Sequence, residues 1–106
     1  MPFLNLQELT SREQMPGFHG RFIHADNMTI VHWDIEAGAE LPEHAHPHEQ
    51  VSNLLEGEFE MTVNGTETRL TEGSVAVIPS NAVHSGRAIT ACRFIDIFQP
   101  VQEDYL

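Results

Sequence analysis

Three of the chain's seven histidines fall within five positions, in the run His44-Ala45-His46-Pro47-His48-Glu49-Gln50. In an extended strand, residues two apart face the same way, so His44 and His46 can present two imidazoles to one ion. A third ligand a few residues on and a fourth from a neighbouring strand would leave positions open for water or substrate, as catalytic metal sites require. Taken singly, His19, His24 and His32 read as structural or solvated side chains. His48 has two readings: it lines the mouth of such a site, or it caps the strand after Pro47.

The remaining composition narrows the chemistry. All five basic residues are arginines, Arg12, Arg21, Arg69, Arg87 and Arg93, and the absence of lysine excludes Schiff-base catalysis and a lysine general base. Sixteen acidic residues give a net charge of -11, which repels nucleic acid and anionic membranes, so neither is expected as a partner. An anionic small molecule can bind only where a metal or an arginine makes the site locally positive. Cys92 is the single cysteine, which rules out an internal disulfide, and its apolar strand context predicts a buried, inert thiol. The opening MPFLNLQELTSRE has no basic stretch followed by an apolar run, so neither a signal peptide nor a membrane span is expected, and the expected compartment is the cytoplasm.

The elements that must position these side chains are short strands. A length of 106 residues fits one domain, residues 1–106. Turn signals recur at Pro16-Gly17, Ala37-Gly38, Glu56-Gly57, Asn64-Gly65, Glu72-Gly73 and Pro79-Ser80-Asn81, separating runs that suit strands. The segment from Glu58 to Val63 alternates, placing Phe59, Met61 and Val63 on one face, and Asn64-Gly65 is a strong hairpin signal. Met28 to Ile35, Ser74 to Ile78 and Cys92 to Phe98 read as further strands. Only Asn5 to Gln14 has helical spacing, through Leu6 and Leu9. The expected fold is all-β, a sandwich or closed barrel, with a jelly roll among the compact solutions and a short helical or irregular segment at the N-terminus.

The spacing also resembles the cupin superfamily, whose first motif is G-x5-H-x-H-x3-E-x6-G. Here Gly38, His44, His46, Gln50 and Gly57 occupy those positions. The second motif, G-x5-P-x-G-x2-H-x3-N, is matched by Gly73, Pro79 and His84, with Asn81 and Ala88 as departures. Asn81 is a mild change, because asparagine tolerates positive φ. The resemblance implies a cupin jelly-roll barrel and one divalent metal ion held by His44, His46, Gln50 and His84. Mixed imidazole and amide ligands suit nickel, zinc, iron or manganese alike. Gln50 stands where most metal cupins carry glutamate, and a neutral amide leaves the ion more net positive charge. Glu49 is the alternative ligand, but it breaks both the spacing and the period-2 direction shared by His44, His46 and Gln50.

Within that superfamily the chain is similar to the KdgF family of small pectin-degradation cupins. The resembling features are His44-x-His46-Pro-His48-Glu-Gln50, Gly57-Glu-Phe-Glu-Met, Val77-Ile-Pro-Ser-Asn-x-x-His84-Ser-Gly, and the tail from Phe94 to Leu106. The resemblance implies ring opening of 4,5-unsaturated monouronates, from pectin or alginate breakdown, to the linear keto form. It implies that Asp96 and Phe98 line the site, and on that placement Asp96 is expected to move the proton that converts enol to ketone. Alternation agrees, since Phe94, Asp96 and Phe98 share a strand face and a carboxylate on an apolar face needs a reason. The other reading of Asp96 is a buried partner of Arg21 or Arg93. The family's tail usually has an arginine at the position of Gln102, so Arg21 or Arg87 is expected to meet the substrate carboxylate in its place. Small cupins commonly pair through their sheets, so a homodimer is expected. A cupin dioxygenase on the same ligands and a non-catalytic sugar-binding cupin are the rival functions.

Overall fold

The computed structural model describes residues 2–106. Ten strands follow one another: β1 (Arg12–Met15), β2 (Phe18–His24), β3 (Thr29–Ile35), β4 (Glu40–His44), β5 (Glu49–Glu56), β6 (Phe59–Val63), β7 (Thr66–Leu70), β8 (Val75–Ile78), β9 (His84–Ala88) and β10 (Cys92–Gln99). They form a six-stranded sheet in the order β1-β2-β3-β10-β5-β8 and a four-stranded sheet in the order β4-β9-β6-β7. Every pairing between them is antiparallel, and the two sheets pack face to face as a jelly roll.

Period-2 alternation explains which residues meet between the sheets. Along β10, Cys92, Phe94, Asp96 and Phe98 are buried while their neighbours are more exposed, and β3 buries Thr29, Val31, Trp33 and Ile35 in the same rhythm. The core joins Phe18, Trp33, Leu54 and Phe94 of the larger sheet to Phe59, Met61, Leu70 and Ala88 of the smaller. Phe59 and Phe94 meet edge to face across the gap, 5.1 Å between centroids. Gly86 of β9 lies against this contact, and a Cβ there would come within 2.2 Å of the Phe59 ring.

The hairpin at Asn64-Gly65 has positive φ at both residues, as a type I′ turn demands, and Asn81 takes φ 63° where the motif has glycine. Cys92 is buried, as its strand context predicts. The N-terminal expectation holds for one turn only. Leu6–Glu8 is a 3-10 turn capped by the Asn5 side chain, whereas Arg12–Met15 pairs with β2. Strand pairing overrides a helical spacing too short to sustain itself. Among the described residues no helix is long and apolar enough to cross a membrane.

Candidate metal centre

Four side chains converge where the two sheets meet. His44 ends β4 and faces His84 of β9 across the strand pair, their rings 4.1 Å apart. The chain then leaves the smaller sheet through a bend at Ala45–His48, and Gln50 enters from β5 of the larger sheet. His46 sits in that bend. The shared direction of His44, His46 and Gln50 therefore comes from a crossover between sheets and not from one continuous strand. Glu49 is exposed and Gln50 buried, so the strand register turns Gln50 inward.

Each imidazole is oriented by its backbone. The Nδ1 of His44 lies 2.8 Å from the Pro42 carbonyl, that of His46 is 3.1 Å from the His48 carbonyl, and that of His84 is 2.9 Å from the Ala82 carbonyl. A carbonyl can only accept, so Nδ1 carries the proton in all three rings and the Nε2 lone pairs are free to face the site. Nitrogen atoms of the three histidines lie within 4.8 Å of one another. His84 is 1% exposed and its Nε2 has no partner among the described residues. Burial pushes the His84 pKa down to about 4 and lowers that of His46, keeping both rings neutral and able to donate lone pairs.

Gln50 completes the set. Its Nε2 donates to Ser52 Oγ at 3.0 Å and to Asp96 Oδ2 at 3.2 Å, which leaves Oε1 directed at His46 Nε2, 3.1 Å away. A neutral His46 has one N–H for two facing acceptors, the His48 carbonyl and Gln50 Oε1. A cation between Nε2 and Oε1 resolves that conflict, and three imidazole nitrogens with one amide oxygen are a donor set that divalent transition metals accept. The residues fit a metal ion.

Beside them lies a cavity of about 30 Å³, whose wall includes His44, Gln50, Ser52, Asp96, Phe98, Trp33 and Tyr105. Asp96 is 8% exposed, and its Oδ2 accepts from Trp33 Nε1 at 3.0 Å as well as from Gln50, while Oδ1 has no partner. Burial pushes its carboxyl up to about 6, against the hydrogen bonds with Ser52, Trp33 and Gln50. Its partners are thus an indole, an amide and a hydroxyl, not Arg21 or Arg93. Phe98 is buried, 5.7 Å from the His46 ring between centroids.

The other expected contacts lie elsewhere. Arg21 points from the outer face of β2, where it pairs with Asp34 and donates to the Leu9 carbonyl. Arg87 is exposed on the outer face of β9 and pairs with Glu60. Neither reaches the cavity, because alternation sends each to the far side of its sheet. Gln102 is buried as the cap of the final 3-10 turn, Glu103–Tyr105, accepting from Asp104 N, and it does not line the cavity. His48 is also buried, its Nε2 3.0 Å from the Val101 carbonyl and 3.4 Å from Glu103, so it ties the tail to the bend instead of lining the mouth.

Among the wall residues that the sequence did not single out are Ser52, Trp33 and Tyr105. Ser52 could have been found as a polar residue on the inward face of β5, two positions after Gln50. Trp33 sits opposite Phe94 in the β3–β10 register and needed the pairing. Tyr105 reaches back from the tail to pack against Trp33, Phe98 and Phe22, and burial raises its pKa.

The cupin domain family matches residues 31–98, more than half of the chain. The chain is a cupin. This cupin is similar in structure to KdgF from Halomonas sp., with 27% identity over 100% of this chain and 99% of that one and a TM-score of 0.92. An RmlC-like cupin from Shewanella frigidimarina is 29% identical over 100% of this chain and 96% of that one, with a TM-score of 0.94. Oxalate decarboxylase from Bacillus subtilis, 18% identical over 92% of this cupin and 29% of that chain with a TM-score of 0.81, shares the fold. Comparison with curated protein sequences gives no match.

Proposed function

We propose that this KdgF-like cupin opens 4,5-unsaturated monouronates to their linear keto form. The observation that carries the reading is Asp96: a buried carboxylate with one oxygen fixed by Trp33 and Gln50 and the other unpartnered, in the cavity beside the His44, His46, Gln50 and His84 set. Ring opening removes the proton of the anomeric hydroxyl as the C1–O5 bond breaks, and ketonisation adds a proton at C4. The reaction is an isomerisation, so one group that takes the first proton and gives the second ends unchanged. The free Oδ1 of Asp96 suits that exchange. A bound divalent ion would supply Lewis-acid stabilisation of negative charge on the substrate's oxygens.

No arginine lines the cavity. The positive charge that a uronate carboxylate needs therefore has to come from the metal centre, since Arg21, Arg87 and Gln102 all lie away from it.

We also propose pairing of two copies through the outer face of the six-stranded sheet. Val77, Val51, Ile97, Ile30 and Ile23 lie in register across β8, β5, β10, β3 and β2. This row carries no charge in a chain of net charge -11.

The test is to incubate metal-loaded protein with lyase-generated unsaturated monouronate and follow the enol absorbance. Loss that stops with a chelator supports the reading. Oxygen uptake during turnover, or binding without product, would replace it with the dioxygenase or the sugar-binding cupin.

A further inference from the structure

A primary amide has two ends of nearly equal shape and opposite polarity, so a glutamine can offer a metal either an oxygen or an NH2 group. Only the oxygen is a ligand; the NH2 would donate to the Nε2 of His46 and occupy the position an ion needs. A glutamate in the same place would have no such choice, its two oxygens being equivalent. A cupin with Gln50 therefore requires something that sets the direction of the amide, and the side chains on its far end decide it.

Those side chains are Ser52 and Asp96. Ser52 is 1% exposed on the inward face of β5, and β10 places Asp96 directly across from it. The two amide protons of Gln50 go one to Ser52 Oγ and one to Asp96 Oδ2. Ser52 donates its own proton to the Asp96 carboxylate, so its Oγ can only accept from Gln50, and reversing the amide would bring Oε1 against both the carboxylate and that Oγ lone pair. Trp33 holds Asp96 Oδ2 in place from the other side. We infer that Ser52 is a positioning residue, which acts through Gln50 by fixing its amide with Oε1 towards the three imidazoles. This rests on Gln50 being a ligand and is independent of which substrate the protein turns over.

The experiment measures Co(II) affinity by competition with a chromophoric chelator, together with the visible d–d spectrum of the Co(II) protein. The proteins compared are wild type, Ser52→Ala, Gln50→Ala and the double variant. Loss of an outer partner of a ligand typically costs about 10–100-fold in metal affinity, so Ser52→Ala is expected to weaken Co(II) by roughly tenfold or more and to shift the d–d bands. In the Gln50→Ala background the same change is expected to do nothing further. Ser52→Cys, which keeps a weak acceptor, is expected to fall between and serves if the alanine variant is poorly folded. An unchanged affinity in Ser52→Ala and Ser52→Cys would overturn the inference, and so would a full-sized loss that persists without Gln50. If Gln50→Ala binds Co(II) as tightly as wild type, Gln50 is not a ligand and the inference falls with that assignment.

Discussion

Replacing Asp96 by asparagine separates the carboxylate's charge from its shape. The asparagine oxygen can take over the hydrogen bonds from Trp33 and Gln50, so the fold keeps its network while the titration disappears. In the metal-free wild type, burial raises the Asp96 pKa from 3.8 to about 6. A raised folded-state value means that the fold binds this proton more tightly than the unfolded chain does. The resulting stability is fully present below 3.8 and is lost as the pH rises through 6. At about 1.4 kcal/mol per pKa unit the full effect is about 3 kcal/mol, of which about 2 kcal/mol develops between pH 7.5 and pH 4.5. The assay is urea unfolding of both proteins after exhaustive chelation, followed by fluorescence of Trp33, the single tryptophan. Acid effects of the other carboxylates and of the histidines are common to both proteins and largely cancel in the difference. Wild type should therefore gain on Asp96→Asn by about 2 kcal/mol on going from pH 7.5 to pH 4.5. A difference that stays flat, or that moves the other way, would refute the claim that Asp96 is held as a desolvated carboxyl.

Three further outcomes are expected. His84→Ala should remove Co(II) binding by more than the 10–100-fold typical of an outer-shell partner, measured by chelator competition, because His84 is the buried ring that pairs with His44 across β4 and β9. Arg21→Ala and Arg87→Ala should leave KM for an unsaturated uronate within about twofold of wild type, and stability within about 1 kcal/mol, since both arginines make exposed or half-exposed ion pairs on outer faces; a tenfold rise in KM would return one of them to the site. Val77→Glu, at a position 68% exposed, should leave the fold intact and halve the mass seen by light scattering if copies pair through the aliphatic row.

The parts of this site that were legible in the sequence are those a metal constrains through spacing. His44 and His46 are two apart, and the turns at Gly73 and at Pro79 to Asn81 fix where β9 begins and hence where His84 stands. Alternation gave the burial of Asp96 and Phe98 because β10 is a central strand, flanked by β3 and β5, and its inward face has no freedom. What spacing could not supply was the side of the sheet on which a lone arginine falls once its strand finds a partner. Arg21 and Arg87 were expected near a carboxylate because the site lacked positive charge, yet charge demand is not a structural constraint, and their registers send them outward to Asp34 and Glu60. The N-terminal segment failed for a related reason: a helical spacing over Leu6 and Leu9 says nothing of the vacant edge of β2 that Arg12–Met15 fills.

The two sheets supply different kinds of chemistry to the same point. The smaller sheet brings His44 and His84 as a cross-strand pair, and the bend after β4 adds His46, so the imidazoles are tied to backbone carbonyls at residues 42, 48 and 82. The larger sheet brings Gln50, Ser52, Asp96 and Trp33, a chain of hydrogen bonds that runs from the candidate ligand to the candidate proton carrier. Gln50 links the two groups, its Oε1 meeting His46 Nε2 while its Nε2 donates to Ser52 and Asp96. A change at Asp96 would therefore reach an ion bound at this centre through the amide it holds, and a change of ion would reach Asp96 through the same bond. Turnover and metal affinity cannot be separated by deleting Asp96 outright; the asparagine, which preserves the acceptor for Gln50, is the substitution that isolates the proton chemistry.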